Sequence, residues 1–91
     1  MGRTTLTYRQ RLELELKRWG EFRRALLRDE REVFDSLVGY VYRYSHAASM
    51  YPERDVFDLF IMSGLLSHEE RLKALEKELK REMKIDARLA P

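Results

Sequence analysis

Apolar residues recur at helical spacing through the first third of the chain. Steps of three and four place six of them on one face of a helix: Tyr8, Leu12, Leu16, Trp19, Phe22 and Leu26. Thr7 precedes Gln10 by three residues, the spacing of a capping box at a helix start. We therefore predict a helix over residues 8–28, preceded by a flexible basic arm over residues 1–6. Gly20 lies inside this helix, where we expect it to let another helix approach beside Trp19.

Two further helices follow from the same periodicity. The second series contains Phe34, Leu37, Val38, Val41, Tyr44 and Ala48, which predicts a helix over residues 30–50 with Asp29 as its N-cap. Pro52 ends that helix and suits the first turn of the next one. The third helix is predicted over residues 53–85, with a tail over 86–91. Ser67 and Glu70 also have capping-box spacing, so a break between Gly64 and Ser67 stays open.

The predicted fold is all-α, a single domain over residues 1–91. It consists of a helical hairpin followed by a long third helix, either continuous or kinked, in a bundle-like arrangement. At about 1.5 Å per residue the third helix would span about 50 Å and outrun the hairpin, whose helices are about 30 Å long. The overhang carries apolar residues at coiled-coil-like positions: Leu65, Leu72, Leu75, Leu79 and Met83. A second copy of the chain is the simplest cover for them, so we predict a homodimer through these residues.

Composition excludes several classes of protein. The 91-residue chain has no cysteine, which rules out a disulfide scaffold, thiolate metal sites and thiol catalysis. Its longest uncharged stretch, from Leu59 to His68, is half the length that a membrane-spanning helix needs. The first residues also lack the apolar segment of a signal peptide. We therefore expect a cytoplasmic protein with no membrane contact.

Titratable side chains form no recognisable reactive set. His46 and His68 lack the spacing of helical or zincin-type metal sites. Asp55 and Asp58 share a helix face, but no neighbouring pattern predicts a shielded cleft that would shift a carboxyl pKa. We therefore predict no catalytic residues, no metal ligands and no cofactor.

Charge is distributed unevenly along the chain. Residues 1–28 carry eight basic and three acidic side chains, residues 29–70 carry three and nine, and residues 71–91 carry seven and four. The basic first helix and arm supply candidate phosphate contacts for a nucleic acid: Arg3, Arg9, Arg11, Arg18, Arg23 and Arg24. The other interpretation, which we favour, is a solvated helix face on which glutamates alternate with these arginines.

The basic residues also indicate habitat. Thirteen of the eighteen are arginine, and the chain contains one glutamine and no asparagine. Many charged residues with few thermolabile amides are typical of proteins from hot environments. The composition therefore predicts a thermophilic source.

Short matches spread over most of the chain resemble a known family. They comprise the opening Met1-Gly2-Arg3-Thr4, Thr7-Tyr8-Arg9, Trp19, Phe22-Arg23-Arg24-Ala25-Leu26, Phe34-Asp35, Ala47-Ala48, Leu65-Leu66 and Glu70-Arg71-Leu72. Together they are similar to an uncharacterised family of short archaeal helical proteins. The resemblance implies an archaeal cytoplasmic protein and brings no activity, ligand or site residue with it.

Two functions follow as hypotheses. The first is a non-enzymatic protein–protein interaction module, a small adaptor or accessory subunit that binds an unidentified protein through its surplus apolar stripe. The alternative is a nucleic-acid-associated protein that uses the basic first helix and the arm.

Overall fold

The computed structural model describes residues 5–89, which fold into helices joined by short turns, with no strand among them. The predicted all-α class is therefore confirmed. In chain order the helices are α1 (Tyr8–Arg18), α2 (Gly20–Ala25), α3 (Arg28–Tyr42), α4 (Ser45–Ala48) and α5 (Val56–Leu89). The arm residues 1–4 and the last two residues of the predicted tail lie outside the described part.

The predicted first helix is two helices, α1 and α2. Its start is confirmed: the Thr7 N–H donates to Gln10 Oε1 at 2.9 Å, and the Gln10 N–H donates to Thr7 Oγ1 at 3.2 Å. The helix stops at Trp19, whose N–H donates to the Leu16 carbonyl three residues back in a tightened last turn. Our expectation for Gly20 was wrong, because a Cβ built there would meet no atom within 4 Å. Among the described residues, no neighbouring helix uses the space that this glycine leaves.

The predicted second helix is also interrupted, at residues 43–44. The Ser45 hydroxyl donates to the Tyr42 carbonyl at 2.7 Å, and the Ser49 hydroxyl donates to the Ser45 carbonyl at 2.6 Å. Such side-chain bonds compete with the helical ladder, which accounts for the short α4 that follows. Asp29 is not the N-cap, because α3 begins one residue before it. Leu27 takes the N-cap position, and its N–H donates to the Glu30 carboxylate at 2.8 Å.

The long third helix, α5, begins later than predicted and runs further. A turn precedes α5, in which the Arg54 N–H donates to the Tyr51 carbonyl at 3.1 Å. The Asp55 carboxylate then accepts the Phe57 N–H at 2.8 Å, as a cap does. No break occurs between Gly64 and Ser67, both of which are buried. The Ser67 hydroxyl donates to the Gly64 carbonyl at 2.7 Å inside the continuous helix, so the spacing of Ser67 and Glu70 does not mark a helix start. Helix also extends through most of the predicted tail, to Leu89.

The hydrophobic core is small and lies where α1, α3 and α4 meet the first half of α5. Its buried apolar residues are Tyr8, Leu12, Val41, Ala48 and Phe60. Gly64 packs directly against α3, since a Cβ there would lie at contact distance, 3.4 Å, from Leu37 Cδ1. The second half of α5 takes no part in this core: every residue from 72 to 89 is exposed.

The shape of the molecule follows from that projection. The described chain extends 75 × 33 × 14 Å, with a radius of gyration of 18.6 Å. A compact domain of this length would have a radius of gyration of about 12 Å. The excess comes from the free half of α5, about 27 Å of helix at 1.5 Å per residue. We call the folded part the bundle and residues 72–89 the projecting segment.

Replacing Gly39 by alanine should stabilise the bundle. Gly39 lies inside α3, is exposed, and would place its new Cβ in open space. Alanine restricts the unfolded chain and favours helix, so we expect the free energy of unfolding to rise by about 0.5–1 kcal/mol. Urea titration followed by circular dichroism measures the change. A loss of stability would contradict the exposed position of Gly39.

Candidate interaction surface

Five apolar side chains form an exposed stripe along α5. These are the predicted interface residues Leu65, Leu72, Leu75, Leu79 and Met83, and each is 54–66% exposed. Their spacing places them on one face of the helix, separate from the face that carries the buried Phe60, Ser63 and Ser67. We call these five residues the stripe. The side chains that the sequence singled out therefore lie together on one uncovered surface.

Sequence reasoning missed one member of this face. Ile61 lies four residues before Leu65 and is 44% exposed. It also lines an open cleft of about 230 Å³ between the helices of the bundle. Ile61 thus joins the stripe to a second apolar surface.

Aromatic rings from three parts of the chain line that cleft. The Trp19 and Phe57 rings stack with their centroids 5.3 Å apart, and the Phe22 ring meets the Trp19 ring edge-on at 5.2 Å. Such ring geometries are favourable contacts in apolar surroundings. The other lining residues are Glu15, Leu16, Phe34, Leu37, Phe60 and Ile61. We call this surface the aromatic cleft.

The sequence placed several of these rings on the apolar faces of predicted helices. It did not show that they line an open surface. Phe22 belongs to the apolar face predicted for the first helix and is nevertheless half exposed at the edge of the cleft. The sequence signal that could have found the cleft is the repeat of aromatic residues three apart, Trp19 with Phe22 and Phe57 with Phe60. Only the packing of α1 and α2 against α5 brings the two pairs together.

Glu15 is the one charged residue lining the aromatic cleft. Its carboxylate accepts the Trp19 indole N–H at 2.9 Å and lies 3.7 Å from the Arg18 guanidinium. The bond to Trp19 holds the indole in the orientation that stacks on Phe57. Glu15 therefore shapes the cleft wall, and its polar atoms are used within the chain.

Two of the predicted nucleic-acid contacts are tied into the fold. The Arg11 guanidinium donates to the carbonyl oxygens of Pro52 at 3.0 Å and of Arg54 at 2.6 Å, which pins the turn before α5 to α1. Arg23 makes a two-pronged ion pair with Asp35, at 2.8 and 2.7 Å, which joins α2 to α3. That hydrogen bond holds the pKa of the Asp35 carboxyl below its ordinary value.

The other described arginines of that set make looser contacts. The Arg9 guanidinium lies 5.9 Å from the centre of the Tyr42 ring, and Arg24 lies 4.0 Å from Glu21. Arg18 is largely exposed beside Glu15. Arg3 lies outside the described residues. The structure thus scatters these arginines among separate contacts along α1 and α2.

Replacing Arg11 by methionine should loosen the turn before α5. The variant keeps the aliphatic stem and loses two charge-assisted bonds to backbone carbonyls, so we expect a loss of about 1–2 kcal/mol in the free energy of unfolding. Arg18→Met is the matched control, since the Arg18 side chain is 80% exposed, and it should change stability by less than about 0.5 kcal/mol. Equal losses in both variants, measured by urea titration, would contradict the role given to Arg11.

The described residues show neither a metal-binding cluster nor a membrane-spanning helix. Within residues 5–89, no three histidine, aspartate or glutamate side chains converge as metal ligands would. Among the same residues, no helix combines the length and apolar character needed to cross a membrane.

Comparison with known proteins gives a family and no activity. No curated protein and no solved structure matches the chain. A family model described as a domain of unknown function (DUF8156) matches residues 1–89, nearly the whole chain. This agrees with the resemblance to an uncharacterised family noted from the sequence. The chain therefore belongs to the DUF8156 family of domains of unknown function.

Proposed function

We propose that the chain is a non-enzymatic protein–protein interaction module, a small adaptor or accessory subunit. The observation that supports this most is the stripe, which continues along a projecting segment in which every residue is exposed. Apolar surface left in water costs roughly 25 cal/mol per Å² relative to burial. A contiguous exposed apolar face on a charged helix is typical of a surface that another protein covers.

The aromatic cleft adds to this proposal. It adjoins the stripe at Ile61 and offers aromatic rings, which dominate the energetics of many protein interfaces. Its one charged lining residue, Glu15, is engaged with Trp19. A partner that covers the stripe and the neighbouring Ile61 would reach the edge of the cleft as well.

The nucleic-acid alternative has less support. Arg11 and Arg23 donate to groups of the chain itself, so phosphate binding would have to replace bonds already made. Size-exclusion chromatography with absorbance at 260 and 280 nm, before and after nuclease treatment, tests this alternative directly. Co-elution of nuclease-sensitive material would favour it over the interaction module.

Three forms of the chain test the proposed function. The stripe variant carries L72Q, L75Q and L79Q. The opposite-face control carries A74Q, E78Q and R81Q, which lie on the other side of the projecting segment and leave the net charge unchanged. We expect wild type and the control to bind a protein, whether a second copy or another chain, that the stripe variant does not bind. Equal behaviour of all three forms, in light scattering and in affinity capture from source cells, would refute the proposal.

Archaeal origin, a hot environment and a cytoplasmic location stay predictions from composition and resemblance. Their support is the arginine-rich, amide-poor composition and the matches quoted above.

A further inference from the structure

We propose that a second copy of this chain covers the stripe, with the two α5 helices running antiparallel. This inference rests on the proposed function, in that it takes the stripe to be a binding surface, and it names the partner and its direction. Three observations carry it: the charge of the two halves of α5, the spacing of the apolar residues, and the position of the bundle on the helix.

The two halves of α5 carry opposite charge. Residues 56–70 contain three acidic side chains and no lysine or arginine, whereas residues 71–89 contain seven basic and four acidic side chains. A parallel pair would place like halves together along the whole contact. An antiparallel pair places the basic projecting segment of each chain beside the acidic half of the other. Complementary net charge of this kind favours the antiparallel orientation over the parallel one.

The apolar spacing supplies a register for that pairing. Ile61, Leu65, His68, Leu72, Leu75 and Leu79 follow one another in alternating steps of four and three, as in a heptad repeat. This series is symmetric about position 70. An antiparallel pair centred there sets Ile61 against Leu79 of the partner subunit and Leu65 against Leu75 of the partner subunit. It sets His68 against Leu72 of the partner subunit. Every other pair of facing residues in this series is wholly apolar.

The bundle leaves room for this arrangement. It packs on the face of α5 that carries Phe60, Ser63, Gly64 and Ser67, whereas the stripe lies on another face. In the proposed pair, each bundle lies level with the projecting segment of the other chain. Met83 of that segment then comes level with Phe57, a wall of the aromatic cleft. The stripe and the aromatic cleft therefore border a single interface.

Disulfide mapping tests the direction, and the chain suits it because it contains no cysteine. Two single variants are needed, Ile61→Cys and Leu79→Cys, with Ala74→Cys on the opposite face as the control. In the antiparallel pair, position 61 of one chain lies about 27 Å along the axis from position 61 of the other, and the same holds for position 79. This distance is far beyond the ~7 Å limit for a disulfide. Position 61 of one chain faces position 79 of the other.

We expect oxidation to link the two variants only when they are unfolded and refolded together. The mixture should give a covalent dimer of twice the chain mass, while each variant alone, and either variant mixed with the Ala74→Cys control, should stay uncoupled. The dimer of the unmodified chain should also weaken as salt rises, because opposite charges attract across the antiparallel contact. Circular dichroism confirms that each variant keeps its helical fold.

Contrary outcomes separate this inference from the proposed function. Coupling of the Leu79→Cys variant with itself would show a parallel pair, which overturns the direction and leaves the interaction module standing. An 11 kDa monomer with no coupling in any mixture would overturn the second copy as partner. In that case the proposed function survives if source cells yield a protein that wild type binds and the L72Q/L75Q/L79Q variant does not, and it fails if they do not.

Discussion

Association of the chain should weaken by about 100-fold or more in the L72Q/L75Q/L79Q variant. Each leucine of this set is more than half exposed and lies on a segment in which every residue is exposed. Truncating a hot-spot residue of an interface costs about 2 kcal/mol or more, so two hot spots among the three leucines already exceed a 100-fold change in affinity. Glutamine favours helix nearly as well as leucine, so the effect comes from lost apolar contact. Sedimentation equilibrium over a range of concentrations measures the association constant.

The bundle of this variant should stay folded, which separates binding from folding. The A74Q/E78Q/R81Q control disturbs the same segment to a similar extent, including the Arg81–Glu78 ion pair, and should retain wild-type association. A free segment without tertiary contacts is a marginal helix, so helix content in residues 72–89 should fall when the stripe variant is monomeric. Unchanged association in the stripe variant would mean that the stripe is not the contact surface.

Replacing Leu12 by alanine should remove much of the stability of the bundle. Leu12 is completely buried in a core of only five buried apolar residues within the described chain. Leucine-to-alanine changes at such sites cost about 2–5 kcal/mol, because the lost transfer free energy is added to that of the cavity left behind. Small domains have about 5–15 kcal/mol in total, so the variant should be partly or wholly unfolded at elevated temperature.

Leu14→Ala is the matched control for this second prediction. Leu14 lies on the same helix but is 49% exposed, so its replacement should cost well under half as much. Urea titrations of the two variants and wild type at one fixed chain concentration give the comparison, since self-association would make stability depend on concentration. Similar losses in both variants would contradict the packing of α1 on α5.

Local signals in the sequence predicted the helical class and much of the candidate surface. The three- and four-residue spacing of apolar side chains predicted helices throughout, and the bond pair between Thr7 and Gln10 matches its capping signal. The stripe was predicted because a helix longer than its hairpin must leave residues such as Leu75 and Leu79 uncovered. These inferences succeeded because they depend on neighbours three and four positions apart, which the order of residues determines.

Helix ends and breaks were less predictable, because weak local preferences compete there with packing. Ser67 and Glu70 have the spacing of a cap, yet burial of Gly64 against Leu37 keeps α5 continuous through this point. Conversely, the first helix is interrupted at Trp19, although the apolar spacing of the predicted helix continues beyond this residue. Its indole is held by Glu15 and stacks on Phe57, which lies far away in the sequence.

The sequence by itself determined the helices, the charge segregation and the face on which the leucines of α5 lie, since each follows from residue order and helical geometry. The tertiary structure decided which arginines are engaged, because the partners of Arg11 and Arg23 are distant in sequence. It also decided that Trp19, Phe22, Phe34 and Phe57 line one open cleft beside Ile61. That arrangement depends on how the helices pack on one another. Packing joins residues that are distant in sequence, so the pattern within a single helix does not reveal it.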